Sequence, residues 1–566
     1  MSNKTKEMID LIRNSYKEGV SPATYEVDDI REVMVPMRDG IKLRTVICSP
    51  KGEGPWPVLF VRTPYPIYEF FKVHGEEYAK RGFVYVFQFC RGTVGSEGIW
   101  EPNVNEPNDG IDSVNWLAQQ SWCSSIGIHG ISYMALTGWI IADKLPEKVK
   151  ALYLCHYGVD RYLSAYKDGL FRHDILTGWA MTNAGKQITD DFMTDYIKAC
   201  LYRPHIKVDE DLWGIKLDWY RDWITHTDYD SEYWQKGFWG KLRGIPEKIN
   251  VPISIVAGWF DHHLEGTVLG YEKLNNETKK YSRLIVGGWD HDFKPCIPGH
   301  KSENASFNLN ADMFYWFDKI LRQNWLPEPE IKTYIIGDDS WRQWESWPIE
   351  TNSTKSLYFT ANRHSQFNAY VLSDNNSDIP ATIEYQYDPM NPVFSNGGET
   401  IFVSTERRGS LLQEEPGYRD DVISFVSHEL DEDMLVVGDI NVKLFVSSDC
   451  EDTCFTVKIM EVLPNGEAYN LRNGITTMAY RNNSPKRISY VPSNIEEINI
   501  KTLPITWKVS AGSRIRVDIS SSNFPEYSIH SNYEGIWSTH DKTRIANQVL
   551  HIGGKYDAAI QFNIIV

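Results

Sequence analysis

The sequence predicts an α/β domain that is interrupted by a helical insertion and followed by an all-β sandwich. Three observations support this fold class. Short apolar runs alternate with helical runs up to residue 326, aromatic-rich helical segments fill residues 159–247, and short alternating runs broken by Gly, Asn, Pro and Ser occupy the rest. The chain has 566 residues, too many for one ordinary core, so several domains are expected.

The α/β pattern begins with the strand-like runs "WPVLFVRTPY" and "GFVYVFQFC", followed by the amphipathic helix "DGIDSVNWLAQQSW". The strand-like "IGIHGIS" and "VKALYLCHYG" then enclose the helical "YMALTGWIIADKLP". Such alternation is typical of a parallel sheet. After the insertion it resumes with "VPISIVAGWFD" and "SRLIVGGWDHD" and ends on the helix "LNADMFYWFDKILRQ". We therefore predict an α/β domain over 1–158 and 248–326, a helical cap over 159–247, and a β-sandwich of jelly-roll type over 327–566.

Composition excludes several classes of partner. The formal charge is 58 − 76 = −18, and no basic stripe is visible, which argues against binding to nucleic acid. No window approaches the roughly 18 apolar residues of a membrane span, and the N-terminal "MSNKTKEMIDLIRNSYKEG" resembles an amphipathic helix rather than a secretory signal. Among eight scattered cysteines only Cys450 and Cys454 are close, which is a weak zinc signal. We expect a cytoplasmic protein with free thiols.

Ser132 lies where a strand-like run becomes a helix, in "GIHGISYMALTGW". A nucleophilic serine on such a turn has unfavourable backbone angles and therefore needs small neighbours. Gly130 and Ala135 provide small residues, although Met134 interrupts the common Gly-x-Ser-x-Gly form. A small residue at any strand–helix junction looks the same, so the assignment depends on partners elsewhere in the chain.

Two later turns supply those partners. The run "VPISIVAGWFD" ends on Asp261, and "SRLIVGGWDHD" ends on a turn that carries His291. Both follow the carboxyl ends of predicted parallel strands, where open α/β sheets place their sites. The order Ser, Asp, His is the order of a hydrolase triad on this type of sheet. His291 would take the proton of Ser132, and Asp261 would orient and stabilise the imidazole.

A metal site is the alternative interpretation of the same turns. "DHH" at 261–263 and "DHD" at 290–292 bring several ligand types together. Adjacent residues at a strand end diverge, however, and no His-Glu-x-x-His spacing is present. We expect neither a metal nor an organic cofactor.

Further motifs extend the pattern over nearly the whole chain: "VPMRDGIKLRTVICSP", "LFVRTPY", "RGTVGSEG", "EPNDGIDSVNWLAQQSW", "GISY", "AGWFD", "GGWDH", "YDPMNPVFSNGG" and "SSSNFPEYSIHSN". Together they resemble the serine hydrolase family that includes cocaine esterase, α-amino-acid ester hydrolase and X-prolyl dipeptidyl-peptidase. The resemblance implies an α/β-hydrolase catalytic domain with a cap and a C-terminal jelly roll. It also implies an oxyanion hole formed by the hydroxyl of Tyr65 and the backbone N–H of Tyr133.

The sequence departs from the family pattern at several positions. Phe89 and Cys90 precede "RG", where an acidic residue is common, and Ala135 replaces a usual glycine. Family members that recognise an α-ammonium group carry carboxylates just after the catalytic acid. This chain has His262, His263 and Leu264 there, with Glu265 one step further. We therefore expect neutral, apolar acyl esters to be preferred over amine-bearing ones.

The resulting hypothesis is a serine hydrolase that cleaves a small-molecule ester, or an amide, through an acyl-enzyme on Ser132. Aromatic residues of the cap, with Trp139, Phe260 and His262, are the predicted pocket. An X-prolyl dipeptidyl-peptidase-like peptidase, an acyltransferase or macrocyclase, and a non-catalytic binding protein are the alternatives. The sequence leaves open whether the chain forms a homo-oligomer.

Overall fold

A computed structural model describes residues 3–184, 192–400 and 407–566. The strands of the α/β region and its insertion are β1 (Arg31–Pro36), β2 (Lys42–Cys48), β3 (Trp56–Thr63), β4 (Val84–Phe89), β5 (Cys123–Ile131), β6 (Val149–Cys155), β7 (Tyr166–Lys167), β8 (Leu170–Phe171), β9 (Ile253–Phe260), β10 (Arg283–Asp290), β11 (Glu330–Ile335) and β12 (Ser340–Trp344).

All of these strands except the β7–β8 hairpin belong to one sheet. Within the described residues it has ten strands in the order β1-β2-β4-β3-β5-β6-β9-β10-β11-β12. The pairs from β4 to β11 along this order are parallel, and the pairs at both edges are antiparallel. The predicted parallel α/β sheet is confirmed. Because parallel strands end at the same edge, the residues that follow β3, β5, β6, β9 and β10 are brought close together.

Helices cover both faces of this sheet. They are α1 (Asn3–Ser15), α2 (Tyr68–Ala79), α3 (Glu106–Ala118), α4 (Tyr133–Trp139), α12 (Leu264–Glu272), α13 (Asn276–Lys279) and α14 (Leu309–Phe317). On one face, α1, α2 and α14 bury apolar side chains such as Ile12, Phe71 and Phe314. On the other face, α4 and α12 bury Leu136 and Val268. The buried strands between them are apolar on both sides, as a doubly covered sheet requires.

The insertion after β6 is mainly helical, as the sequence predicts. Its helices are α5 (Arg161–Ala165), α6 (His173–Asn183), α7 (Phe192–Leu201), α8 (Val208–Asp211), α9 (Asp218–Thr225), α10 (Glu232–Gln235) and α11 (Gly237–Arg243), with the short β7–β8 hairpin after α5. Residues 185–191 of the predicted cap lie outside the described residues.

The described residues from 353 onward form an all-β domain, which confirms the second part of the predicted fold class. Its strands are β13 (Ser353–Arg363), β14 (Tyr370–Ser373), β15 (Ala381–Tyr387), β16 (Ile423–Ser427), β17 (Met434–Ser448), β18 (Cys454–Val462), β19 (Ala468–Thr477), β20 (Glu496–Lys501), β21 (Ile505–Val509), β22 (Arg514–Ser520), β23 (Ala546–Ile552) and β24 (Ala559–Ile565). The described strands join in one twelve-stranded sheet.

The first sheet extends past the boundary predicted at residue 326. Strand β11 pairs in parallel with β10, and β12 adds an antiparallel edge that ends at Trp344. Burial alternates over the first four residues of β11, as it does along β15 of the all-β domain. Alternation identifies a strand but does not say which sheet it joins, and this explains the difference.

The helices and the cysteines bear on the expectations of no membrane span and of free thiols. Among the described helices, none combines the length and the apolar character needed to cross a bilayer. All eight cysteines are free thiols. Cys454 is the first residue of strand β18, and Cys450 lies in the connection between β17 and β18.

Candidate active site

Ser132 occupies the tight turn between β5 and α4. Its φ of 58° and ψ of −131° are values that residues with a side chain rarely adopt. Gly130 makes the turn possible, because a Cβ there would lie 2.3 Å from the backbone of Met134. The Ser132 amide donates to the carbonyl of Cys155 on the neighbouring β6, at 3.0 Å. The turn is therefore fixed by the sheet and shaped as a nucleophile elbow requires.

Asp261 and His291, which follow neighbouring parallel strands, are in direct contact. His291 Nδ1 hydrogen-bonds to Asp261 Oδ2, and Asp261 Oδ1 accepts from the backbone N–H of His263 at 2.7 Å. Asp261 is completely buried. Burial opposes its charge, but attraction to the neighbouring imidazoles in their protonated forms, His156 first, holds the pKa of this carboxyl well below its usual range. The structure thus brings together the acid and the histidine that the sequence predicts.

The charge on Asp261 also sets the proton affinity of His291. Burial alone would lower the pKa of His291, but the adjacent Asp261 carboxylate and its hydrogen bond outweigh burial and raise this pKa above the ordinary value. An imidazole with raised pKa is a stronger base toward a hydroxyl proton. The pair therefore has the electronic arrangement of a general base and its orienting acid.

His156 is a polar residue of this site that the sequence reasoning missed. It follows β6, and its Nδ1 lies 2.9 Å from the backbone carbonyl oxygen of His291. Trp289 Nε1 donates to the other ring nitrogen at 3.3 Å, so the proton of His156 belongs on Nδ1. The ring stacks on Phe293 at 4.1 Å, and burial lowers its pKa. A neutral His156 thus holds the backbone of the His291 turn. The only sequence signal is its place at the end of a predicted strand.

These groups also permit a test of the metal interpretation. His156, Asp261 and His291 offer ligand atoms within 4.8 Å of one another. Both ring nitrogens of His156 are already engaged, by a backbone carbonyl and by Trp289. The Asp261 oxygens accept from His291 and from a backbone N–H. A metal ion would have to displace these bonds, so the contacts favour a hydrogen-bonded acid–base pair.

Ser132 and His291 face the same cavity, which has a volume of about 770 Å³. This size is usual for a small-molecule site. In the part of the chain that the structure describes, no hydrogen bond joins Ser132 to His291. Such bonds are often loose without substrate and tighten in the complex. The walls are mainly aromatic and aliphatic, with Tyr65 and Tyr157 from the α/β domain and Trp179 and Trp223 from the cap.

Tyr65 presents a hydroxyl to this cavity. The hydroxyl oxygen accepts from Trp179 Nε1 at 3.3 Å, which leaves its proton available to another acceptor. Burial raises the pKa of Tyr65 to about 12, so the hydroxyl stays protonated at neutral pH. Tyr65 follows β3 at the same sheet edge as Ser132.

Tyr133 contributes its backbone rather than its hydroxyl. As the first residue of α4, its N–H has no acceptor within the helix. Its side chain is held away from this position, because the hydroxyl donates to Glu106 Oε1 at 2.7 Å and accepts from the Asn103 N–H at 2.9 Å. The ring also stacks on Trp179, with centroids 5.9 Å apart.

The predicted pocket residues divide into two groups. His262 lines the cavity, whereas Trp139 and Phe260 do not. Trp139 is buried against α12, where a Cβ on Gly270 would lie 3.2 Å from its ring. Phe260 packs beneath a guanidinium of the all-β domain, that of Arg472, 5.4 Å from the ring centroid. Both are core residues. Trp139 is near Ser132 in the sequence and Phe260 precedes Asp261, but nearness in sequence does not show which way a side chain points.

The fold and the residues at this edge of the sheet place the chain among the serine hydrolases. The family described as X-Pro dipeptidyl-peptidase (S15 family) matches residues 39–292, and its C-terminal non-catalytic domain matches residues 323–561. The chain belongs to the family of serine hydrolases that contains cocaine esterase and the X-prolyl dipeptidyl-peptidases.

Individual relatives agree over nearly full length. Cocaine esterase of Rhodococcus sp. (strain MB1 Bresler) is 28% identical, with 94% of this chain and 98% of that protein covered. A solved aminopeptidase from a marine sediment Thaumarchaeota archaeon has a TM-score of 0.82 at 22% identity, covering 97% and 98%. A solved α-amino acid ester hydrolase has a TM-score of 0.80 at 21% identity, covering 96% and 97%. The two solved structures bear on the fold alone.

Proposed function

We propose that this chain hydrolyses a carboxylic ester through an acyl-enzyme on Ser132. The observation that carries the proposal is the convergence at one sheet edge of a positive-φ serine and a histidine bonded to a buried aspartate, both facing one cavity. The chain's own residues supply each group that acyl transfer needs.

In the first half-reaction, His291 Nε2 takes the proton of Ser132 while Ser132 Oγ bonds to the acyl carbon. The carbonyl electron pair moves onto oxygen, and this oxyanion accepts hydrogen bonds from the Tyr65 hydroxyl and the Tyr133 N–H. Collapse of the intermediate breaks the ester C–O bond, and the imidazolium of His291 protonates the departing oxygen. A water molecule then repeats the sequence and releases the acid.

The two oxyanion donors make separate contributions. Losing one such donor typically costs about 10²–10³-fold in rate. The Tyr65 hydroxyl belongs to a buried side chain bonded to Trp179, whereas the Tyr133 N–H belongs to the same turn as the nucleophile. Both donors are fixed before substrate arrives, which is what makes such donors effective.

The charges of the cavity support an ester without a free α-amine. Glu265, the first carboxylate after Asp261, lies 3.4 Å from Lys167 and lines a different cavity. His262 and His263 occupy the positions in between, and burial lowers the pKa of both, so they are neutral. An ammonium group would therefore lose its hydration in this cavity, and none of the described lining residues offers it a free carboxylate.

The experiment is covalent labelling with a fluorophosphonate, read by intact mass and peptide mapping. One adduct per chain is expected, on Ser132. Ser132→Ala should abolish both the adduct and aryl-ester turnover, while Ser125→Ala, on the same strand, should retain both. An unlabelled protein whose turnover stops with a chelator would establish a metallohydrolase instead. Turnover that requires an added alcohol or amine acceptor would establish an acyltransferase.

A further inference from the structure

Arg161 is a buried cation in the catalytic cavity that has no counter-charge among the residues that the structure describes. It is the first residue of α5, is 7% exposed, and lines the same cavity as Ser132. Among the described residues, no acidic side chain forms an ion pair with it, and its Nε is buried without a hydrogen-bond partner. A buried guanidinium is costly unless its charge and donors are satisfied.

The surroundings of Arg161 satisfy it only in part. Its guanidinium lies over the ring of Trp223, 4.6 Å from the centroid, and 5.9 Å from the centroids of Tyr157 and Trp239. Cation–π contacts of this kind offset some of the charge. A ring face does not accept hydrogen bonds in the plane of the guanidinium, which carries five N–H donors. The hydroxyl of Tyr157 interacts with one of these donors, and Nε has no partner.

Two other arginines of the cap, unlike Arg161, form ion pairs with carboxylates. Arg221 pairs with Asp209 at 2.7 Å, and Arg243 pairs with Asp160 at 2.7 Å. Among the described cap arginines, Arg203 also lacks an ion pair, but it donates to the backbone carbonyl of Ile529 at 3.3 Å. Arg161 is the arginine of this group that lines the catalytic cavity. Its missing partner is therefore expected on the cavity side.

The remaining cavity wall does not provide that partner. Of the described residues that line the cavity, only Asp292 carries a carboxylate, and it is paired with Arg408 at 2.8 Å. His262 Nδ1, which belongs to the same wall, is also buried without a hydrogen-bond partner. Within the described part of the cavity wall, Arg161 Nε and His262 Nδ1 are thus unpartnered and no carboxylate is free.

We propose that Arg161 binds a carboxylate group of the substrate, so that the preferred substrates are esters with a free carboxylate on the acyl chain or on the leaving group. This inference rests on the proposed esterase function and specifies its substrate class. A planar guanidinium matches a carboxylate through two parallel hydrogen bonds, and the aromatic rings around it exclude water that would weaken them. Arg161 would thus lower KM for such substrates and would take no part in the chemical step.

The test compares matched esters that differ in one carboxylate. Phenyl hydrogen adipate is paired with phenyl hexanoate for the acyl side, and 3-acetoxybenzoate with phenyl acetate for the leaving-group side. In at least one pair the carboxylate ester should have a tenfold or higher kcat/KM, mainly through a lower KM. Arg161→Met should reduce this ratio to about one or less, and Arg161→Lys should retain part of it. The matched control Arg221→Met should leave the ratio unchanged.

Two results would overturn the assignment: a wild-type preference for the neutral ester in both pairs, or a carboxylate preference that survives Arg161→Met. Either would make Arg161 a structural cation held by aromatic rings. If Arg161→Met does not fold, the wild-type ratios and Arg161→Lys decide. If no ester is turned over and no fluorophosphonate adduct forms, the esterase proposal fails separately. Calorimetric titration of adipate into Ser132→Ala, with adipamide as the neutral control, then still measures carboxylate binding, and equal affinities would refute it.

Discussion

The two sides of the catalytic cavity are built differently. On the sheet side, Asp261, His291 and His156 are joined by hydrogen bonds, and each follows the end of a parallel strand. On the cap side, Trp179 and Arg161 face the cavity chiefly through ring contacts. Polar bonds between strand ends fix atoms to a fraction of an ångström, whereas apolar packing fixes shape and volume. The sheet side is thus suited to chemistry and the cap side to selection of the substrate.

Substitutions on the two sides of the cavity should change different kinetic constants. Substitutions on the sheet side should lower kcat, because their contacts act in the transition state. Substitutions on the cap side should raise KM or change the order of preferred substrates. A cap substitution that lowered kcat alone would break the distinction.

The largest of the sheet-side effects is expected for Asp261→Asn. An amide in place of the carboxylate favours the wrong tautomer of His291, so kcat/KM should fall by about 10³–10⁴-fold. In the wild type, kcat/KM should rise with pH through the raised pKa of His291, because only the neutral imidazole accepts the serine proton. The variant should move this rise to lower pH. Rate–pH profiles measure both effects.

Asp292→Asn is the matched control for this substitution. Asp292 also raises the pKa of His291, but after Asp261, and its own carboxylate pairs with Arg408. It should cost less than tenfold in kcat/KM and shift the profile less. An Asp261→Asn profile that coincided with that of the wild type would refute the base assignment.

A smaller effect is expected for Tyr65→Phe. This substitution removes the hydroxyl that is proposed as an oxyanion donor, so it should lower kcat by about 10²-fold with little change in KM. Tyr157→Phe removes a hydroxyl from the same cavity and should cost less than tenfold. Steady-state kinetics with one aryl ester compare the two variants. A raised KM with unchanged kcat for Tyr65→Phe would make Tyr65 a wall of the pocket.

The smallest effect concerns the cap side and the α-amine. A phenylacetyl ester should have a higher kcat/KM than its phenylglycyl counterpart, by about tenfold, since a buried unpaired ammonium is unfavourable by more than one kcal/mol. The two esters differ mainly in the amine. A tenfold preference for the amine-bearing ester would indicate an amino-ester hydrolase or a dipeptidyl-peptidase.

The same division separates what the sequence predicts from what it does not. That Ser132, Asp261 and His291 lie at one sheet edge could be predicted because each follows a recognisable strand, and parallel strands end at the same edge. Trp139 and Phe260 were wrong as pocket residues, because the direction of a side chain in an apolar segment depends on tertiary packing. Arg161 gave no signal, since an unpaired charge is visible only when all its neighbours are known.

Ser132 and His291 are proposed to act as one catalytic unit. A double-mutant cycle, which compares the loss of activity in the two single variants with that in the double variant, measures this coupling. Ser132→Ala and His291→Ala should each lower kcat for an aryl ester by at least about 10⁴-fold, because either loss removes the activated nucleophile. The double variant should therefore be hardly slower than either single variant. Losses that multiply in the double variant would contradict the proposed coupling, because they would show that His291 assists the reaction independently of Ser132.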